Sequence, residues 1–398
     1  MNRIARLVTT SVVALALSLG FTACSNPAST TTNTSSSVSR DSSNSSTASG
    51  AQNTAAVKSH FDANDLTWKT ADEIKVTLAD GSSNGGTGVS VSGDTVTITA
   101  AGVYRVSGSL SNGQLVVAVP QDKTAVVILD GVTISSTTGP AISVTSGDKV
   151  TLYLADKTSS TVTDGAKYTV ANDATPVAAI ASASDLTIAG NGSLTVNGRA
   201  NDAINTKDGL VIASGTIKVT AADDGIRGKD YVDVRDGTVT VEAGGDGVKS
   251  DNSKDTGRGW ITIAGGTVTV ARSDEGLEAR TITISGGTVN VTASDDGINA
   301  TAGKVAGGTE QDDGSMVIIS GGTTTVKAGS DGIDSNGGVT LSGGTLTITS
   351  GNDGGGTSPV DANGTVTLNG AKVTANGTEV TSVSQLGSRG ASGRRSGR

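Results

Sequence analysis

Three consecutive stretches of the chain share one pattern: DYVDVRDGTVTVEAGGDGV (Asp230–Val248), GWITIAGGTVTVARSDEGL (Gly259–Leu277) and RTITISGGTVNVTASDDGI (Arg280–Ile298). Each contains an apolar-alternating segment, a Gly-rich turn, a second alternating segment and an acidic-Gly turn. Alternation with period two predicts strands whose branched apolar residues point inward and whose threonines point outward. The glycines are expected where the chain turns with a positive φ. A short unit built only of strands predicts one coil of a parallel β-helix.

The regular repeat covers residues 185–387, with coils of about 21–22 residues. Two longer intervals are interpreted as insertions within Ser250–Gly259 and Thr301–Gly314. Residues 58–184 are expected to form irregular first coils and an N-terminal cap that protects the edge of the solenoid. The acid of the turn recurs at Asp202, Asp224, Asp246, Glu275, Asp296, Asp331 and Asp353.

Composition excludes several kinds of chemistry. The 398 residues include 56 Gly, one Cys and one His, so a disulfide scaffold and Cys/His zinc sites are excluded. A Ser-His-Asp triad would depend on His60 alone. The formal net charge is -9 and many of the arginines lie near the two ends, so the body is more acidic than the whole. Such a body repels nucleic acid and attracts divalent cations.

The first residues predict export and anchoring. Residues 1–23 have a basic start, an apolar run and small residues, which is typical of a secretory signal. Thr22-Ala23-Cys24 resembles a bacterial lipobox, so Cys24 is predicted to carry lipid after cleavage; an ordinary signal peptide is the alternative. Residues 24–57 are predicted to be a flexible Ser/Thr-rich tether, and residues 388–398 a basic disordered tail. These features predict a monomeric lipoprotein on the bacterial cell surface.

Stacked coils predict a calcium site. Equivalent residues of successive coils lie about 4.8 Å apart, so the turn acids form a column whose repulsion a cation would relieve. Calcium accepts roughly six to eight oxygen ligands in flexible geometry. The alternative is that the acids simply favour solvated turns. The predicted metal ligands are Asp202, Asp223, Asp224, Asp246, Asp274, Glu275, Glu278, Asp295, Asp296, Asn299, Asp331 and Asp334.

A second column lies three residues beyond each turn acid. Arg227 and Lys249, with Lys229 nearby, form a basic patch within an acidic protein. Beside bound calcium, this patch would receive an anionic ligand such as a uronate chain. The alternative is that both residues only neutralise the flanking acids. Trp260 is the remaining candidate for ligand contact, since it and Tyr231 are the only aromatic residues of the regular repeat; the alternative is that either one serves packing.

The runs ADDGIRGKD (Ala222–Asp230) and GGDGVKSDNSKDTGRGW (Gly244–Trp260) resemble a bacterial carbohydrate-binding, calcium-binding β-helix family. The likeness covers roughly Ala71 to Val380. It implies an all-β, right-handed parallel β-helix similar to that of pectate lyases. It also implies bound calcium, and binding of polygalacturonate or cellulose without established catalysis.

Three functions remain open from the sequence. The first is a surface module that holds acidic polysaccharide through a calcium-loaded β-helix. The second is a calcium-dependent polysaccharide lyase, in which Arg227, Lys229 or Lys249 would abstract the proton beside the uronate carboxylate. The third is a spacer or adhesin that calcium only stiffens. No catalytic residue is singled out, so the sequence favours a binding protein over an enzyme.

Overall fold

The computed structural model describes residues 58–303, 311–351 and 356–387. The predicted signal peptide, Cys24, the tether, the basic tail and Asp353 lie outside these residues. Among the described residues, no helix is long and apolar enough to cross a membrane. The helices there are four short 3-10 turns: Ala63–Leu66, Thr70–Asp72, Ala171–Asp173 and Val383–Gln385.

The described chain forms a parallel β-solenoid of about 11 turns, which confirms the predicted all-β fold. A full coil visits three faces in a fixed order, which we call sheets I, II and III. Sheet I is a separate 12-stranded sheet, whereas sheets II and III belong to one 21-stranded sheet. Nearly all strand pairs between coils are parallel. Two antiparallel pairs, Val89–Ser92 with Thr95–Ile98 and Lys372–Ala375 with Thr378–Val380, flank the ends.

Sheet I contains Val89–Ser92, Thr95–Ile98, Gln114–Ala118, Ile142–Ser146, Ala178–Ser182, Asp202–Thr206, Ile226–Gly228, Val248–Ser250, Leu277–Ala279, Ile298–Ala300, Ile333–Ser335 and Val360–Ala362. Sheet II contains Glu73–Leu78, most of Gly102–Leu110, Thr124–Leu129, Lys149–Leu154, Asp185–Gly190, Gly209–Ile212, Tyr231–Val234, Trp260–Ile263, Thr281–Ile284, the first parts of Met316–Lys327 and Gly338–Thr349, and Val366–Leu368. Sheet III contains Thr133–Ser135, Ser159–Thr163, Ser193–Gly198, Thr216–Ala221, Thr238–Glu242, Thr267–Arg272, Thr288–Thr292, the last parts of the two long strands, Lys372–Ala375 and Thr378–Val380.

Identical positions of successive coils stack to form the core. In sheet I, Ile204 pairs with Ile226, and Ile226 with Val248, at steps of 22 residues. These side chains are 0–2% exposed, and the same holds for the inward residues of sheets II and III. Their burial is the main favourable contribution to stability, at roughly 25 cal/mol per Å² of apolar surface. The predicted inward and outward alternation is therefore confirmed in the regular coils.

Coil length varies where segments leave the solenoid. Both predicted insertions, within 251–259 and 301–314, lie between a strand of sheet I and the next strand of sheet II. A third insertion, residues 164–177, lies between sheets III and I and was not predicted. It lengthens the step from Ile142 to Ile180 to 38 residues. All three insertions therefore flank sheet I.

The glycines act in two different ways. Gly266, in the turn between sheets II and III, has a φ of +71°, as the sequence predicts. Gly247, which follows a turn acid, does not have a positive φ. A Cβ there would lie 2.5 Å from Val270 Cγ1 and 2.6 Å from the Gly276 carbonyl oxygen. The acidic-Gly turns thus need glycine because neighbouring coils approach closely, which corrects the expectation for this class of turn.

Residues 58–72, here called the N-terminal strap, lie along the outer surface of sheet II. Ser59 donates to Asp233 (2.7 Å), and the His60 backbone N–H donates to the Tyr231 hydroxyl (2.9 Å). Tyr231 stacks on Trp260 with ring centroids 4.8 Å apart. The strap thus covers one side of the first coils and reaches well into the regular repeat.

Candidate functional site

The turn acids form one column at the entry to sheet I, as the sequence predicts up to Asp331. We call Asp202, Asp224, Asp246, Glu275, Asp296 and Asp331 the acid ladder. Along most of it, each carboxylate accepts a hydrogen bond from the backbone N–H of the next member. The distance is 3.1 Å from Asp224 to Asp202, 3.0 Å from Asp246 to Asp224, and 2.9 Å from Asp331 to Asp296. The ladder therefore ties each coil to the next.

The second column lies on the outward face of sheet I. Its members pair in register as Asn205, Arg227, Lys249, Glu278, Asn299, Asp334 and Asp361. Lys249 Nζ lies 2.5 Å from Asp246 and 2.8 Å from Glu278. Arg227 contacts Asp224 at 3.5 Å and Asp251 at 2.5 Å. In these two coils, the side chains of Arg227 and Lys249 thus neutralise part of the negative charge of the ladder.

The best-defined candidate for a metal lies around Glu275. Asp246, Glu275 and Glu278 each offer an oxygen, and these three oxygens lie within 4.8 Å of one another. Asn299 donates to Glu275 Oε1 at 2.7 Å. Glu275 Oε2 and Asn299 Oδ1 are both buried and have no hydrogen-bond partner among the described residues. Two neighbouring oxygens without a donor have the chemistry of ligands for a hard cation.

The pKa shifts of these three carboxyl groups also fit a cation site. Burial and then the neighbouring Glu278 raise the pKa of Glu275 to about 9. Burial is also the main cause that raises the pKa of Asp246 to about 7. For Glu278, burial favours the neutral acid, but hydrogen bonds with Asp246 and Lys249 outweigh it and lower the pKa. Without a metal the group therefore retains a proton at neutral pH, which a bound cation would displace.

Two further acid groups flank this one. Asp202, Asp223 and Asp224 also place carboxylate oxygens within 4.8 Å of one another. Burial and then repulsion from Asp224 raise the pKa of Asp202 to about 7. The second group, nearer the C-terminal end, comprises Asp296, Asp331 and Asp334, and burial and then repulsion from Asp296 raise the pKa of Asp334 to about 7.

A cleft of about 640 Å³ opens on the outer face of sheet I beside the first rungs of the ladder. One wall is the 164–177 insertion, and the floor includes Asn205 and Arg227 from the second column. Four cationic side chains and one carboxylate, Asp251, line the cleft. The cations are Lys167, Lys207, Arg227 and Lys229. The cleft is thus a positively charged surface within an acidic protein.

The wall of the cleft is fixed by buried hydrogen bonds. The Tyr168 hydroxyl lies 2.9 Å from both Asp164 Oδ2 and the Ala178 carbonyl oxygen. Asp164 is fully buried and also accepts from the Arg199 backbone N–H at 2.6 Å. Tyr168 is itself a lining residue, so the insertion presents a defined surface to the cleft.

The profile of a family described as carbohydrate-binding domain-containing protein matches residues 92–354. The chain belongs to this carbohydrate-binding family. Among solved structures, the polysaccharide lyase-like protein from C. thermocellum, a gadolinium derivative, is 30% identical with a TM-score of 0.54. The match covers 67% of this chain and 96% of that one. No curated protein matches the chain. The comparisons confirm the suspected resemblance to a carbohydrate-binding β-helix family.

Within this carbohydrate-binding fold, the predicted metal ligands separate into distinct groups. Asp274 and Asp295 are exposed, and Asp274 accepts a hydrogen bond from Ser294 at 3.0 Å. Neither belongs to the three-carboxylate groups of the described residues. The predicted final acid, Asp353, lies outside the described residues. The structure instead places Ser358 after Asp331, since its backbone N–H donates to Asp331 at 2.5 Å.

Two of the predicted sugar contacts need correction. Trp260 is 7% exposed and packs with Tyr231 and Phe61 on sheet II, so it does not lie with the basic residues of sheet I. Its side chain points outward from the solenoid, but the strap covers it. Lys249 lies between two carboxylates and does not line the cleft. Arg227 and Lys229 do line the cleft, as a ligand-binding role requires.

Sequence reasoning missed Lys167, Tyr168 and Lys207. The first two lie in the 164–177 insertion, where the chain has no repeat pattern. The sequence did carry a sign of this insertion. Too many residues separate the strands Ser159–Thr163 and Ala178–Ser182 for a simple corner, and they include a lone tyrosine. Lys207 follows a strand of sheet I at the position that Lys229 occupies in the next coil.

The single histidine does not form a hydrolase triad among the described residues. His60 Nδ1 pairs with Asp185. The adjacent Ser59 donates to Asp233 and not to His60. His60 therefore fastens the strap to sheet II.

Proposed function

We propose that this protein binds acidic polysaccharide in the cleft on sheet I and holds calcium in the acid ladder, farther along the same sheet. The observation that carries the proposal is the cleft itself. It gathers Lys167, Lys207, Arg227 and Lys229 on one face of a chain whose net charge is -9. Membership of a carbohydrate-binding family supports a sugar as the ligand.

The charge of the cleft favours a uronate over a neutral sugar. Asp251 is the single carboxylate of the lining, and its Oδ2 lies 2.5 Å from Arg227. Arg227 is also shared with Asp202 and Asp224, whereas the three lysines form no ion pair among the described residues. Hydrogen bonds between such cations and a carboxylate are roughly twice as strong as those between neutral groups. A chain of uronate residues would satisfy several lysines at once.

Calcium is proposed at the Glu275 group, where Glu275, Glu278, Asp246 and Asn299 would supply oxygens. The unpartnered oxygens of Glu275 and Asn299 support this assignment. Lys249 already lies within 2.8 Å of Asp246 and Glu278, so the cation would lie on the Glu275–Asn299 side of the group. The Asp202 and Asp334 groups are the further candidates.

We also propose that the protein is held at the bacterial surface by lipid on Cys24. The sequence of residues 1–24 supports this part of the proposal. Labelling growing cells with a radioactive fatty acid tests it. Label is expected in the protein, and none in a Cys24→Ser variant. Equal label in both would contradict the anchor.

Calorimetry with hexagalacturonate tests the binding site. The natural protein is expected to give a saturating isotherm in calcium that weakens after chelation. Lys207→Ala with Lys229→Ala should reduce the affinity at least about tenfold, since two charge-assisted contacts are lost. The matched control is Lys218→Ala with Lys372→Ala, which removes two equally exposed lysines of sheet III. Equal affinity for hexagalacturonate in both double variants would refute the cleft as the binding site.

A lyase is the second candidate, because the similar solved structure is described as polysaccharide lyase-like. Lys249 is a poor base: burial disfavours its charge, but hydrogen bonds to Asp246 and Glu278 outweigh this effect and raise its pKa. Unsaturated products in the same titration would identify a lyase. A folded protein that gives neither heat nor product would instead favour a calcium-stiffened spacer.

A further inference from the structure

A second cavity, of about 570 Å³, lies on the outer face of sheet II beside the first coils. The strap and four successive strands of sheet II, with the residues that follow them, line it, and none of its residues lines the cleft on sheet I. Trp68 and Glu73 also lie outside the part of the chain that the family profile matches. The cavity is therefore a feature of this chain that the family assignment does not explain.

Two aromatic rings form one corner of the cavity. Trp68 and Tyr153 meet edge to face, with ring centroids 4.9 Å apart and an angle of 89° between the planes. Trp68 Nε1 donates to Glu73 Oε1 at 2.9 Å, which fixes the indole. Both side chains are only half-buried. Rings with one apolar and one polar end that remain partly open suit a ligand with an apolar face.

Polar groups surround this corner. Arg105 is held by Glu73 at 2.6 Å and by Asp130 at 3.2 Å. Asp156 is exposed and accepts from Asn191 at 3.1 Å. The Tyr153 hydroxyl makes no hydrogen bond to the described residues. These groups offer both donors and acceptors to a ligand with several hydroxyls.

The charge of the cavity selects among such ligands. Glu73, Asp130 and Asp156 outnumber Arg105, the single cation of the lining. This balance repels a uronate, in contrast to the cleft on sheet I. A neutral pyranose has one face of C–H groups and a rim of hydroxyls, which match the aromatic corner and the polar surround.

We propose that this cavity binds a neutral sugar residue, whose C–H face packs against one ring of the Trp68–Tyr153 pair and whose hydroxyls hydrogen-bond to the Tyr153 hydroxyl, Asp130, Asp156 and Arg105. The protein then has two sugar sites of opposite charge preference on different faces of the solenoid. The second site goes beyond the proposed acidic-sugar function and does not depend on it.

Tryptophan fluorescence tests the proposal, because the chain has two tryptophans. Trp260→Phe leaves Trp68 as the reporter. This variant is titrated with cellohexaose, mannohexaose and xylohexaose, and separately with hexagalacturonate. At least one neutral hexasaccharide is expected to change the emission saturably, with a Kd of about 1 mM or tighter. Hexagalacturonate is expected to leave the emission unchanged.

Trp68→Ala is not a clean test, because it could loosen the strap and abolish binding for that reason. Two milder variants avoid this problem. In the Trp260→Phe background, Tyr153→Phe removes one hydroxyl and Asp156→Ala one exposed carboxylate. Each should weaken the neutral sugar by about fivefold, the effect of one hydrogen bond. Asp122→Ala, which removes an exposed acid outside the cavity, should not.

The proposal is overturned if no neutral hexasaccharide changes the emission or if hexagalacturonate alone does. Equal affinity in Tyr153→Phe, Asp156→Ala and Asp122→Ala would also overturn it. The cleft on sheet I is read out separately, by calorimetry on the Lys207 and Lys229 variants, so the two sites can fail independently.

Discussion

Replacing Glu275 by Gln should change how the stability of the metal-free protein depends on pH. Glu275 has a pKa raised to about 9 by burial and by Glu278, whereas an unfolded Glu has a pKa of 4.5. Between these values the folded chain holds a proton that the unfolded chain has released. Its stability is therefore highest at low pH and is lost as the pH rises towards 9. Gln is the same size and has no proton to lose.

The slope of the free energy of unfolding against pH follows from the one proton that Glu275 holds in the folded chain only. One unit of pKa difference corresponds to about 1.4 kcal/mol, so the natural protein should lose up to about 3 kcal/mol more than Glu275→Gln between pH 6 and 8, and less where solvent screens the carboxyl group. For a chain of this size, that difference corresponds to roughly 4 °C in Tm. Asp202 and Asp334, whose pKa values are also raised to about 7, contribute to both proteins and cancel in the comparison.

Scanning calorimetry in a chelator from pH 6 to 8 measures this difference. Glu379→Gln, at an exposed glutamate, is the matched control and should follow the natural protein. Calcium at 100 times its Kd should stabilise the natural protein by about 2.7 kcal/mol, and Glu275→Gln by clearly less. Parallel Tm curves for the natural protein and Glu275→Gln in chelator would refute the assignment of the extra proton.

Gly247→Ala should destabilise the protein by about 1–3 kcal/mol because the new Cβ meets the next coil. Ala203→Gly, at the equivalent position of an earlier coil, should cost about 0.5–1 kcal/mol because glycine weakens a strand. Thermal unfolding compares the two variants. Asp185→Asn should weaken the pairing with His60 and expose the strap, which limited proteolysis measures as faster cleavage near residue 60. Ile282→Ala, at a fully buried position of sheet II, should cost about 2–5 kcal/mol in denaturant unfolding.

Much of the fold could be predicted because each coil repeats the same alternation of inward apolar and outward polar residues. Alternation fixed which residues face inward, and the spacing of the turn acids predicted their register from Asp202 to Asp331. The prediction failed at the last coil, since the step from Ile333 to Val360 is 27 residues and not 22. The added residues lie between Thr349 and Val360, and Ser358 takes the register position of the turn acid without a change in the strand pattern.

The site was only partly predictable, because long-range packing decides which outward residues stay open. Trp260 lies at an outward position and was expected to meet a ligand, yet the strap covers it. Lys249 was expected to contact sugar, but its ion pair with Glu278 forms only because the two coils stack. Lys167 belongs to an insertion without a repeat, and only the fold brings it beside Lys229.

The route of the strap has a mechanical consequence. Its first described residues are fastened to Tyr231 and Asp233, which lie in the sixth coil and not at the end of the solenoid. A pulling force applied at residue 58 would load those contacts before it reached the terminal coil. The strap would have to be peeled off sheet II first, so the coils would be shielded from unravelling while it held.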